Sequence, residues 1–154
     1  MTTHWQYQQR EFVDPQDYFG MVYLITCVPT GKKYIGRKYF TKAKIQQKTK
    51  TKRKKKLRVV SDWVTYYGSS ADLVADVERL GAQHFTREVL RLCRTRGETN
   101  YYEVVEILGR EALLRDDYYN KWCSLKLHRS SLKACQKPST SLSTPSSSTT
   151  STSS

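Results

Sequence analysis

Residues 20–40, GMVYLITCVPTGKKYIGRKYF, are the stretch on which the fold turns. The first nine are apolar nearly throughout and rich in β-branched and aromatic types, which suits a strand. Pro29-Thr30-Gly31 is a turn, and Lys32–Phe40 supplies a second strand. Two strands joined by so short a connection predict an antiparallel hairpin.

Outward from the hairpin the order continues. After residue 60, Ser69 or Ser70 is placed to cap a helix, ADLVADVERLG. Its Leu73, Val77 and Leu80 recur at helical spacing, and Gly81 is a suitable stop. HFTREVLRLC then alternates as a third strand, with Phe85, Val89 and, less cleanly, Leu90 and Leu92 pointing inward. Thr95–Glu98 reads as a loop. A second helix is expected from about Asn100 to Leu114, with Val104, Leu108 and Ala112 as its buried stripe. YYNKWCSLKLHRSSL closes the ordered part as an extended or irregular segment. The expected fold is α+β: a small three-stranded, mainly antiparallel sheet flanked by helices. Residues 1–19 carry no firm assignment and count as an N-terminal extension. The domain then runs over 20–134, and the Ser/Thr-rich run 135–154 is expected to be a disordered tail, since it has too little apolar surface to offset its ordering entropy.

The formal net charge is +13. It is concentrated: fourteen Lys and Arg lie between Lys32 and Arg58, with no Asp or Glu among them. Residues 41–60 thus form a basic insert, expected as a basic helix or a mobile loop. A field of one sign that dense points to a polyanion, nucleic acid before anionic membrane. Lys52, Arg53, Lys54, Lys55 and Lys56, together with Lys38, are the candidate contacts to a phosphate backbone. Membrane binding ranks last because no strongly amphipathic helix is seen.

Cys27, Cys93, Cys123 and Cys135 include no C-x-x-C, and His4, His84 and His128 complete no zinc set. Cys27 and Cys93 sit in strand-like runs and read as reduced core thiols, which fits a cytoplasmic, reducing setting. The N-terminus has no apolar h-region, and no apolar stretch approaches the ~20 residues that span a bilayer.

Met21-Val22-Tyr23, then Tyr34-Ile35-Gly36 after ten intervening residues, then Glu103 on a helix and a late Asn120 follow one another along the chain. In this order they resemble the GIY-YIG nuclease family, with Met-Val-Tyr standing for G-I-Y. The resemblance covers roughly residues 20–128. The block from Asp62 to Leu90 is similar to phage-encoded members, including homing-type enzymes. It implies a metal-dependent endonuclease acting on DNA, with Mg²⁺ or Mn²⁺ as cofactor and no small-molecule cofactor. A stand-alone domain of this kind is expected to choose sites weakly, to read DNA structure or to dimerise.

Cutting a phosphodiester needs a nucleophilic water, neutralisation of charge on the phosphorus centre and help for the leaving oxygen. The resemblance makes Glu103 the metal ligand, a single carboxylate serving where the substrate phosphate supplies another. By spacing alone Glu103 reads first as the partner of Asn100 in a capping box, and the two tyrosines turn the reading to metal ligation. Glu106 is its rival one turn on. Tyr23 is implied to orient or deprotonate the water and Tyr34 to bond the phosphate or a metal-held water. A phenol of pKa ~10 is a weak base unless a cation depresses it. The family's arginine is ambiguous, because Lys42 and Lys44 stand at its usual place. Arg37 and Arg58 are the candidates, Arg37 ahead because a strand end is better fixed than a loop. Asn120 is expected to hold the loop that shapes the site. His84 is expected to be a solvated turn residue. Trp63, Tyr66 and Tyr67 are expected in the core. The alternative is a basic nucleic-acid-binding module that keeps the fold without catalysis.

Overall fold

The computed structural model describes residues 4–46 and 55–135, with the side chains at 45, 46, 55, 56 and 133–135 left aside. In chain order the strands are β1 (Trp5–Tyr7), β2 (Arg10–Glu11), β3 (Gly20–Cys27), β4 (Lys33–Tyr39), β5 (Thr41–Gln46), β6 (Lys55–Val60) and β7 (Phe85–Cys93). Two α-helices, α1 (Ala71–Leu80) and α2 (Arg96–Gly109), flank them. The main sheet has the order β2-β1-β7-β3-β4.

The three expected strands form this sheet's antiparallel part. β3 pairs with β4 on one side and with β7 on the other. The sheet is larger than the expected three strands. β1 adds to β7 in parallel, and β2 folds back on β1. A three-residue strand shows no period to read. It is held by burial far along the chain, since Trp5 is 1% exposed and its indole N–H donates to the Trp63 carbonyl at 2.8 Å. Burying a side chain of this size is worth a few kcal/mol, about 1.5–3 for a large apolar group.

The hairpin forms as its residues dictate. Gly31, at φ 71°, takes the left-handed conformation that lets its N–H reach the Cys27 carbonyl at 2.8 Å. The uneven alternation of β7 has a cause. Val22 faces Arg91 and Tyr23 faces Val89, so Leu90 is an extra residue, a bulge that shifts the inward set.

The basic insert is neither helix nor loop where it is described. β5 and β6 pair from Thr41↔Val60 to Gln46↔Lys55 as a separate antiparallel ribbon. Thr41, Ile45, Val59 and Val60 supply β-branched residues at its ends. Lys52, Arg53 and Lys54 lie outside the described residues, as does the run 136–154.

α1 runs as expected. The Ser70 hydroxyl accepts from the Leu73 N–H, and Gly81, at φ 94°, ends the helix. α2 begins four residues earlier than expected. Thr95 caps it, its hydroxyl accepting from the Glu98 N–H at 3.1 Å, and Glu98 reaches back to the Arg94 N–H at 2.7 Å. This cap changes the phase of the buried face. Thr99 and Ile107 are buried and Glu103 stands between them, whereas Leu108 is 57% exposed and Val104 only half-buried. Of the expected stripe only Ala112 is fully buried.

The sheet separates two cores. Met21, Tyr23, Ile25 and Val89 pack with Trp5, Trp63 and Leu73 on the α1 face. Val22, Ile35 and Cys93 pack with Ile107 and Ala112 on the α2 face. Buried Arg87 fastens the connection over the first face, its guanidinium donating to the carbonyls of Val64 and Tyr66 at 2.9 and 3.0 Å. No helix among the described residues is long and apolar enough to cross a membrane.

Candidate active site

β4 is the edge strand of the main sheet, and the cleft lies along its outer side. Residues three apart on a strand point to opposite faces. Tyr34 therefore reaches the cleft from the α1 face and Arg37 from the α2 face. Around them the cleft, of about 390 Å³, is lined by Ser69 and Ser70 from the start of α1 and by Glu103 and Ile107 from α2. Asn120 and the residues after it close the remaining side.

An edge strand leaves backbone groups unpaired, and here a side chain completes them. The Asn120 amide accepts from the Ile35 N–H at 2.9 Å and donates to the Ile35 carbonyl at 2.8 Å. It acts as a short piece of strand. Three further bonds fasten the same segment. The Lys33 N–H donates to the Asp117 carbonyl, the Tyr119 N–H to the Lys33 carbonyl, and the Tyr119 hydroxyl to Asp76 at 2.7 Å. Lys121 pairs with Asp72 of α1.

Glu103 and Arg37 form an ion pair in the cleft, the carboxylate side chain only 14% exposed. Burial lifts the Glu103 carboxyl above its ordinary range, and the charge of Arg37 offsets only part of that. With the cap at Thr95, the alternative of an Asn100–Glu103 capping box falls away. Asn100 instead accepts from the Tyr39 hydroxyl at 2.6 Å. Glu106 points elsewhere and is held by Arg91 at 2.8 Å and Arg110 at 3.0 Å.

The two tyrosines share a face, with ring centroids 6.2 Å apart, but their settings differ. Tyr34 stands in the cleft, its hydroxyl 3.0 Å from that of Ser69. Tyr23 is wholly buried beneath it, its hydroxyl facing the Tyr66 and Tyr34 phenols without a well-formed hydrogen bond among the described residues. Burial, and then the neighbouring phenols of Tyr66 and Tyr34, push the Tyr23 hydroxyl well above the usual phenol value. Burial raises Tyr34 as well. Neither phenol is depressed in the protein. Gly36 explains the final residue of the YIG triplet: a Cβ there would stand 2.7 Å from the Tyr23 Cζ.

Of the two arginines carried from the sequence, the structure brings only Arg37 to the cleft. Arg58 lies on β6 over the Phe19 ring, 5.2 Å from its centroid. The β5–β6 pairing carries it there, and it is not among the residues that line the cleft. Lys38 is likewise engaged, 2.8 Å from Asp62 and over the Tyr66 ring. Lys55 and Lys56 belong to β6 by backbone. His84 does not line the cleft, and Trp63 is buried in the core. Trp122, on the cleft wall, escaped the sequence reading because nothing in an irregular segment marks which side chain turns outward.

The donor set suits a hard cation. A carboxylate, a phenol and serine hydroxyls are oxygen donors. Among the described residues no three His, Cys, Asp or Glu stand together. A cation here would keep most of its waters and take a further ligand from a phosphate, as Mg²⁺ does readily.

A family model described as "Putative endonuclease segE, GIY-YIG domain" matches residues 5–123. The match begins at Trp5, so it takes in the first two strands as well as the hairpin, both helices and Asn120. No curated protein and no solved structure matches the chain.

Proposed function

The chain belongs to the SegE GIY-YIG endonuclease domain family, and from that premise we propose that it hydrolyses DNA phosphodiester bonds using a divalent cation held by Glu103. The observation that carries this reading is the convergence of Tyr34, Arg37 and Glu103 in one cleft, from three different backbone positions. A charged pair half-sequestered in a cleft is otherwise costly, and such pairs gather at functional sites.

Glu103 would hold the cation through its carboxylate, with Mg²⁺ or Mn²⁺ as the fitting ions. The bound cation would supply positive charge at the phosphate and make a water more acidic. Arg37 would leave Glu103 and offer its planar donors to a non-bridging phosphate oxygen, the geometry for which guanidinium is suited. Tyr34, protonated at neutral pH, acts as a donor to the phosphate or to the attacking water. Tyr23 also stays protonated. Its role is to hold the water-side geometry from below, through Gly36 and Tyr34, rather than to take a proton. In the reaction a water oxygen bonds to phosphorus, the phosphorus–oxygen ester bond breaks, and the departing oxygen gains a proton.

The basic ribbon and the lysine run beyond it would bind the DNA backbone, setting affinity and salt dependence rather than sequence choice. The domain division is proposed with one change from the sequence expectation of an extension over 1–19 and a domain over 20–134: the catalytic domain starts at Trp5, because β1 and β2 are strands of its sheet, and the tail is kept at 135–154. The test is plasmid nicking with Mg²⁺, Mn²⁺ or EDTA, wild type against Glu103→Ala. Nicking that needs the cation and is lost in Glu103→Ala is expected. DNA binding without cleavage under every condition would instead identify a non-catalytic module.

A further inference from the structure

Trp122 is 74% exposed, whereas the other two tryptophans, Trp5 and Trp63, are 1% and 4% exposed. It stands on the wall of the cleft that holds Tyr34, Arg37 and Glu103. Its backbone is not free to wander: Tyr119, Asn120 and Lys121 immediately before it are fastened to β4 and α1. A large indole held open to water at a fixed place beside a polar cleft presents a flat face on which a base can stack.

The cleft offers two kinds of lining. Arg37, Glu103 and Tyr34 suit a phosphate and a cation. Trp122, with the part-buried Cys123 beside it, offers apolar surface that phosphate chemistry does not need. A flat ring linked through a sugar to a phosphate describes a nucleotide. Bases in a continuous duplex have their faces covered by their neighbours, so an indole reaches such a face only where a base is out of the stack.

We propose that Trp122 stacks on an unstacked base next to the phosphate to be cut, so that the protein selects DNA whose duplex is interrupted. This deepens the nuclease reading and rests on it. Trp122 is then a specificity residue, and it recognises the state of the base rather than its identity, because every base has a π-face.

The burial of Trp5 and Trp63 makes the experiment selective, since quenchable emission at long wavelength comes from Trp122. The full chain, in EDTA, is titrated with a short duplex bearing a one-base gap and with the intact duplex of the same sequence. The gapped duplex should quench the accessible emission strongly and the intact one weakly. Trp122→Ala should bind the gapped duplex about tenfold more weakly, with intact-duplex binding changed less than about twofold, and Trp122→Phe should keep most of the preference. Equal quenching by the two duplexes, or equal effects of Trp122→Ala on both, overturns the proposal. The exposed side chain makes loss of folding an unexpected outcome, and an unchanged melting temperature of Trp122→Ala verifies it. Selective quenching without nicking in Mg²⁺ or Mn²⁺ would leave the stacking by Trp122 standing and remove the nuclease reading, and with it the phosphate to be cut. Nicking without selective quenching would do the reverse.

Discussion

Glu103 and Glu106 stand one turn apart on α2, yet their carboxyls are driven in opposite directions. Burial raises Glu103 despite its arginine. For Glu106 burial also acts upward, but the bonds from Arg91 and Arg110 outweigh it and hold the carboxyl below its ordinary range. Two environments pushing like groups apart is the pattern by which one of a pair becomes functional and the other structural.

The separation is visible in stability as well as in cleavage. A lowered carboxyl contributes stability above the ordinary glutamate range and loses it as pH falls through the lowered value. Glu106→Gln should therefore melt below wild type at neutral pH, by roughly 0.5–1 kcal/mol, with the gap closing in acid. A raised carboxyl favours the folded state only while protonated, and that contribution is lost as pH rises through the raised value. Glu103→Gln should therefore melt no lower than wild type at neutral pH, and its relative advantage should shrink in acid. Melting curves of the metal-free protein across this range check both signs. On nicking, Glu103→Gln should lose at least about a hundredfold, and Glu106→Gln should stay within a few-fold.

Tyr23→Phe should separate function from stability. A buried hydroxyl with no well-formed bond costs up to about 1–3 kcal/mol, so its removal should leave stability unchanged or raise it. Nicking should fall, by about tenfold for a lost positioning group. Denaturant unfolding and nicking on the same preparation decide this. Gly36→Ala should behave oppositely in stability, losing about 1–3 kcal/mol because the new methyl meets the Tyr23 ring.

Asn120→Ala should leave the Ile35 N–H and carbonyl without their partner. A loss of roughly 2 kcal/mol is expected for buried backbone groups so abandoned. Because the same residue fixes the wall that carries Lys121 to Ser124, cleavage should fall beyond what the fraction folded explains. Hydrogen exchange at Ile35 reports the first effect, and nicking corrected for the folded fraction reports the second.

Neutralising Lys52, Arg53, Lys54, Lys55 and Lys56 to Gln should weaken DNA binding and flatten its salt dependence. The slope of log affinity against log salt should lessen by about 0.9 for each phosphate contact removed. Saturating DNA should restore most of the cleavage rate, since these residues are proposed to bind and not to act in the chemistry. An unchanged salt slope would remove the lysine run from the DNA interface.

The sequence alone determined the β3–β4 hairpin, its turn, α1 with its serine cap and glycine stop, and the basic character of 41–60. These rest on short-range physics: alternation, capping and turn chemistry act over a few residues. It also carried the motif order that names the family. It did not decide where the cleft lies or which acid and which arginine meet in it. The buried face of α2 passes through Thr99, Glu103 and Ile107, of which only one is apolar, so hydrophobic periodicity could not find it. The helix phase was set by Thr95, and the choice of Arg37 over Arg58 by the pairing of β5 with β6. Only packing across the edge of β4, between groups as far apart as Ile35 and Asn120, gathers the site, because partners so distant in the chain leave no local trace in it.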